Sequence, residues 1–158
     1  MTLTLEKFIE IPEYCQIVQQ ALRDAGITVT LNMESQAAYY GKAQFGESDW
    51  LDSVFAATDY GHRGVPNVFL AAPLKSDGPW NAARFKNKEY DGLVDQYVAA
   101  LDLQSQREVA GKMQRILLDE TPIIFSYFSN YLTATRKNVH GLETSAAGSL
   151  FLGGAWLA

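Results

Sequence analysis

The chain has 158 residues, 47% apolar and 20% charged, the balance of an ordinary globular protein, and one domain is the default at this length. A net charge of −5, with Arg136-Lys137 the only adjacent basic pair, argues against nucleic-acid binding. No apolar run approaches the ~20 residues that span a bilayer, and the lone Cys15 excludes an internal disulfide and a cysteine-cluster metal site.

Thr2 to Phe8 alternates Leu3 and Leu5 with Thr4 and Glu6, which reads as a strand. Met1 directly precedes this run and no signal peptide is seen, so the chain is expected to be a fragment of a longer one. Pro12 suits the first turn of a helix whose face is Tyr14, Ile17, Val18, Ala21, Leu22 and Ala25, stopped by Gly26. Ile27 to Leu31 reads as a second strand, which makes a βαβ unit with parallel strands. A short helix is expected after Ser35, and a third strand over Leu51 to Ala57.

Val68 to Ala72 reads as a helical turn or two before Pro73, and Lys75 to Pro79 as a loop. Asn87 caps a helix with Tyr90, Leu93, Val94, Tyr97 and Leu101 on one face; Asp91 and Asp95 lie on its polar side, expected to be solvated. Asp102 caps the next helix, which presents Val109, Ala110, Met113, Ile116 and Leu117. After Pro122, strands are expected at Ile123–Phe128 and Tyr131–Arg136, with a turn at Ser129-Asn130. The fold class is α/β, a small mixed sheet with packed helices, and it selects no function by itself.

The stretch Ala57 to Leu70 concentrates the chemistry. Asp59 sits at or just past a strand end, where open α/β sheets collect ligands, and its carboxylate suits an ammonium group. It equally suits a local turn in which Asp bonds nearby backbone amides. Asp59 and His62 are spaced as two metal ligands, but zinc needs at least one more and His140 is remote in sequence. No G-x-S-x-G elbow and no phosphate-cradling glycine loop occur. Cys15 borders an apolar helix face, as a small buried hydrophobe does. Tyr39, Tyr40, Trp50, Tyr60 and Trp80 fall in or near loops, where aromatics grip ligands or pack at the core edge.

Four stretches in register carry a family resemblance. They are Gln19 to Val29; Asp59-Tyr60 with Pro66 to Leu70; Asn81 to Asp91; and Pro122-Ile123-Ile124, Tyr127 and Arg136 to Gly141. Together they resemble the C-terminal part of family 5 extracytoplasmic solute-binding proteins, the dipeptide-, oligopeptide- and nickel-binding components of ABC importers. The resemblance implies one lobe of a two-lobed periplasmic-binding-protein-like fold. Residues 1–147 would form that C-terminal lobe, and residues 148–158 a tail returning to the other. It implies a binding module rather than an enzyme, with no cofactor, no catalytic residue and no metal ligand of its own.

The acid that receives a peptide's α-ammonium in that family matches Asp59, and the expected ligand-facing set is Asp59, Tyr60, His62, Arg63 and Asn81. Implied partners are a peptide or related small solute, a membrane permease, and the absent N-terminal lobe of the same parent chain, working in the periplasm or outside the cytoplasmic membrane. The apolar tail also suits a homodimer. Two features depart from the family: Ala56 replaces a usual Trp, and Gly61-His62-Arg63-Gly64 replaces an Asp-Pro pairing. Arg63 suits a ligand carboxylate. An opine-like compound, a sugar derivative or a nickel chelate therefore stays open as ligand, as does a stand-alone α/β enzyme using Asp59 and His62.

Overall fold

A computed structural model describes residues 1–128, 130, 132–145 and 147–158. Strand β1, Thr2–Glu6, is the centre of a three-stranded sheet, with Leu3 and Leu5 packed beneath helix α1, Ile11–Asp24. Pro12 sits in the first turn of α1, where its missing N–H costs nothing, and Cys15 reaches the core beside Leu5. The helix ends in a Schellman motif. The Ile27 N–H donates to Leu22 O at 2.8 Å and the Gly26 N–H to Arg23 O at 2.9 Å, with Gly26 at φ +82°.

Strand β2, Thr30–Glu34, runs parallel to β1, so the βαβ unit read from the sequence is present. It starts three residues later than expected. The Ile27 amide is spent on the helix cap, and pairing begins only where Thr30 sits opposite Thr2. Ser35 then caps the short helix α2, Gln36–Tyr40, accepting from the Ala38 N–H.

The expected strand over 51–57 is mostly absent. Asp49–Asp52 forms a helical turn, α3, and only Ala56–Ala57, strand β3, joins β1 on its other edge, again parallel. The cause is local. One Asp52 carboxylate oxygen accepts from the Gly46 and Ser48 N–H groups, and the other takes an ion pair from Arg84 at 3.1 Å. Those bonds close the turn and bury Trp50 and Leu51 together. The strand order is β2-β1-β3.

Helix α4, Asn67–Ala71, and the 75–79 loop lead to a helical hairpin of α5, Lys88–Ala99, and α6, Leu103–Glu120. Asn87 and Asp102 cap these helices through the Tyr90 and Ser105 N–H groups. Leu74, Phe85, Tyr90, Leu93, Val94 and Met113 form the hairpin core. Leu101 was expected on this face but is fully exposed, because α5 ends at Ala99 and leaves it in the turn. Asp91 and Asp95 are not simply solvated. Asp91 accepts from the Ser76 N–H at 2.9 Å, and Asp95 pairs with Lys75 at 2.9 Å. Both hold the 75–79 loop onto α5.

No strand forms over Ile123–Phe128. Among the described residues this segment finds no neighbouring strand to complete its ladder, and Ile124, Phe125 and Phe128 are exposed. It lies instead against α1, where Tyr127 meets the Tyr14 ring edge-on and the Tyr14 and Ser126 hydroxyls are hydrogen-bonded. In the expected hairpin beyond it, Ser129 and Tyr131 lie outside the described residues, and no strand occurs over 132–136. The chain closes with two antiparallel pairs: β4, Val139–His140, with β7, Trp156–Leu157; and β5, Glu143–Thr144, with β6, Leu150–Phe151.

Candidate functional site

Three parallel strands point their carboxyl ends to one edge, and each end carries an acid: Glu6 closes β1, Glu34 closes β2, and Asp59 follows β3 by two residues. That edge is where an open α/β sheet holds ligands. A cavity of about 230 Å³ opens there, lined by Tyr40, Trp50, Thr58, Asp59, Tyr60, Gly61, Arg63 and Trp80. A larger, shallower trough of about 370 Å³ lies between α4 and the 75–79 loop. It lacks the combination of carboxylate, guanidinium and aromatic surface, so the smaller cavity is the functional candidate.

The floor is aromatic. Trp50 packs against Tyr40, Tyr60 and Trp80 with ring centroids 5.4, 6.3 and 6.2 Å apart. Trp50 is 8% exposed, and its indole N–H is buried without a hydrogen-bond partner. Trp80 is placed by a tight turn. Its N–H donates to Ala72 O at 2.9 Å, and a Cβ on Gly78 would sit 2.3 Å from that same oxygen. Glycine is needed there because the two backbones approach so closely.

Asp59 is exposed at the rim, and its carboxyl is held above the usual Asp range, first by desolvation and then by the Glu6 carboxylate beside it. Glu6 itself is wholly buried. It accepts from the Tyr40 hydroxyl at 2.7 Å and the Gln36 amide at 3.0 Å, and Tyr40 also meets the Thr58 hydroxyl at 2.9 Å. Burial pushes the Tyr39, Tyr40 and Tyr60 hydroxyls up, so these stay protonated donors at neutral pH. Arg63 folds over its own loop, donating to Gly61 O at 3.0 Å and His62 O at 3.2 Å, with its guanidinium carbon 6.0 Å from the Trp80 ring centre.

Of the five residues expected to face a ligand, three share this cavity: Asp59, Tyr60 and Arg63. His62 is exposed and does not line it. Asn81 is not at the site either. It is 4% exposed, and its amide is fully committed, donating to Lys75 O and Phe85 O and accepting from the Phe85 N–H. Among the described residues, no group of three or more His, Cys, Asp or Glu side chains could hold a metal ion.

Glu6 is the residue that sequence reasoning missed. The sequence shows it only as a polar position alternating with Leu5; in the structure Gln36 and Tyr40 of α2 bond its carboxylate and cover it. Nothing in the alternation itself distinguishes a buried carboxylate at this position from an exposed one.

No protein-family model matches the chain. It is 29% identical over 160 residues to the dipeptide-binding protein DppE of Bacillus subtilis, covering 96% of this chain and 27% of that protein. It superposes on the oligopeptide-binding protein AppA of Bacillus subtilis, solved with a nonapeptide, with a TM-score of 0.78 at 18% identity, over 99% of this chain and 31% of AppA. It also matches a dipeptide-binding protein from Pseudoalteromonas sp. SM9913, solved with Met-Leu, with a TM-score of 0.69 at 15% identity, over 100% of this chain and 32% of that one. The chain therefore has the fold of part of such a protein and spans about a quarter to a third of the length of these relatives. The resemblance read from the sequence is borne out by these likenesses.

Proposed function

We propose that this chain is one lobe of an extracytoplasmic solute-binding protein of an ABC importer, and that its acid-aromatic cavity takes the ammonium end of a peptide or related small solute. The observation that carries this is the position of Asp59, at the carboxyl end of the parallel sheet, above Tyr60, Trp50 and Trp80 and in the same cavity as Arg63. A carboxylate facing an ammonium group at about 4 Å attracts it by roughly 4 kcal/mol at an effective dielectric of about 20, before desolvation is subtracted. The aromatic floor adds apolar contact for a side chain, and Arg63 offers a planar donor to an anionic group.

The role is reversible capture rather than catalysis. A second lobe would close over the exposed rim, bury the ligand and present the closed form to a membrane permease. The exposed apolar side chains of Leu150, Phe151, Leu152, Trp156 and Leu157 suit packing against that lobe, or against a second copy when it is missing. Titration calorimetry with the dipeptide Ala-Ala and with N-acetyl-Ala-Ala tests the reading in a protein carrying both lobes. Ala-Ala is expected to bind and the acetylated form, which has no ammonium, to lose most of that affinity. Equal affinity for the two would overturn the role of Asp59.

A further inference from the structure

The candidate cavity holds two opposite charges that do not meet. Asp59 and Arg63 belong to one loop and line the same cavity of about 230 Å³. Among the described residues the ion pairs are Lys42–Glu47, Lys75–Asp95 and Arg84–Asp52, and neither Asp59 nor Arg63 takes part in one. Opposite charges so near in the chain attract each other, so something must hold them apart.

Arg63 is the group that is held. One terminal nitrogen, Nη1, donates to both Gly61 O at 3.0 Å and His62 O at 3.2 Å. The guanidinium carbon stands 6.0 Å from the Trp80 ring centre, at the outer reach of a cation–π contact. Gly61 leaves room for this fold-back, since a Cβ there would sit 3.3 Å from Nη1. These bonds occupy one corner of the guanidinium. Among the described residues no hydrogen bond uses Nη2 or Nε, so two donors of the planar fork stay free. Such a fork matches a carboxylate in a way that a lysine ammonium does not.

We infer that this cavity reads both ends of one short zwitterion, with Asp59 taking the ammonium and Arg63 the carboxylate, so that its ligand is a free amino acid or a dipeptide and not the end of a long peptide. The cavity is smaller than the roughly 300–1,000 Å³ of ordinary small-molecule sites, and both poles lie in it. Each further residue of an extended peptide carries the carboxylate about 3.5 Å farther from the ammonium, and so away from Arg63. Arg63 is thus a specificity-determining residue. This inference rests on the proposed ammonium site and adds the second pole to it.

NMR titration of the 158-residue chain, following the Arg63 Nε–H and the Trp80 indole N–H signals, tests it. The probes are alanine and Ala-Ala, each beside its C-terminal amide, with tetra-alanine and N-acetyl-Ala-Ala. Saturable shifts are expected with the free acids, and the tighter of alanine and Ala-Ala fixes the spacing of the two poles. That ligand should lose about tenfold in affinity as its amide, and tetra-alanine should bind as weakly as the amide. Arg63→Gln should bring the free acid down to the level of the amide, and Arg63→Lys, which keeps the charge without the fork, should retain part of the preference. Equal binding of acid and amide, with acetylation still costly, overturns the carboxylate pole alone. Tetra-alanine binding as tightly as the short acids overturns the limit on length. Equal binding of Ala-Ala and N-acetyl-Ala-Ala overturns the capture reading on which the inference rests. No saturable shift with any probe also overturns the inference, because both poles belong to this chain, and leaves the capture reading to calorimetry of the two-lobed protein.

Discussion

Asp59 is where residue-scale chemistry can be checked most sharply. Because its folded pKa lies above the ordinary Asp value, its ionised form is disfavoured by the fold. Capture of an ammonium should therefore strengthen as pH rises through that value and fade below it. Asp59→Asn keeps the shape and removes the charge. It should weaken an ammonium ligand by about 1.5–3 kcal/mol, roughly ten- to a hundredfold, and flatten the pH dependence, as read by calorimetry across pH.

Cys15 gives a second residue-scale test. Burial pushes its thiol up to about 11, so almost no thiolate exists at neutral pH. A maleimide reagent should label it only on unfolding, and rapid labelling of the native chain would place it wrongly. The place of Asp59 just past a strand end was legible in the sequence, and the structure puts it on the rim of a cavity there. Asn81 lies outside the cavity with its amide spent on Lys75 and Phe85 backbone groups, and an asparagine that braces a loop looks the same in one sequence as one that faces a ligand.

At the scale of elements, the helices were legible because each carries its own signals. Ser35, Asn87 and Asp102 cap as their side-chain chemistry requires. Asn87→Ala should cost about 1 kcal/mol in chemical denaturation, since the Tyr90 N–H loses its acceptor. The strands were less legible, because a strand is defined by its neighbour. The run 51–57 was apolar enough for a strand, yet Asp52 captured the amides of the preceding loop and wound the turn instead.

Ile123–Phe128 has strand composition but no partner among the described residues. The 75–79 loop offers an element-scale test of the site. Gly78→Ala would drive a Cβ to 2.3 Å from Ala72 O and displace Trp80, costing about 1–3 kcal/mol. The measurements are denaturant unfolding and tryptophan emission, which should shift red as Trp80 becomes hydrated. An unchanged spectrum would detach Trp80 from this turn.

At the scale of the whole molecule, the candidate cavity is open at its rim, and the apolar tail is exposed in the same chain. Sequence reading reached the fold through local patterns, which do not encode the identity of a ligand. In the two-lobed protein proposed above, specificity would come from both lobes. The 158-residue chain alone should bind Ala-Ala far more weakly than a protein with both lobes. Removing residues 148–158 should abolish any self-association seen by size-exclusion chromatography.

The most direct measurement is native mass spectrometry of the longer, two-lobed protein proposed here, purified without unfolding. The expected result is a co-purified peptide or other ammonium-bearing solute, present with the unaltered sequence and lost with Asp59→Ala. A protein that carries no solute and gains none from a peptide mixture, or one whose bound solute survives Asp59→Ala undiminished, would contradict capture at this site.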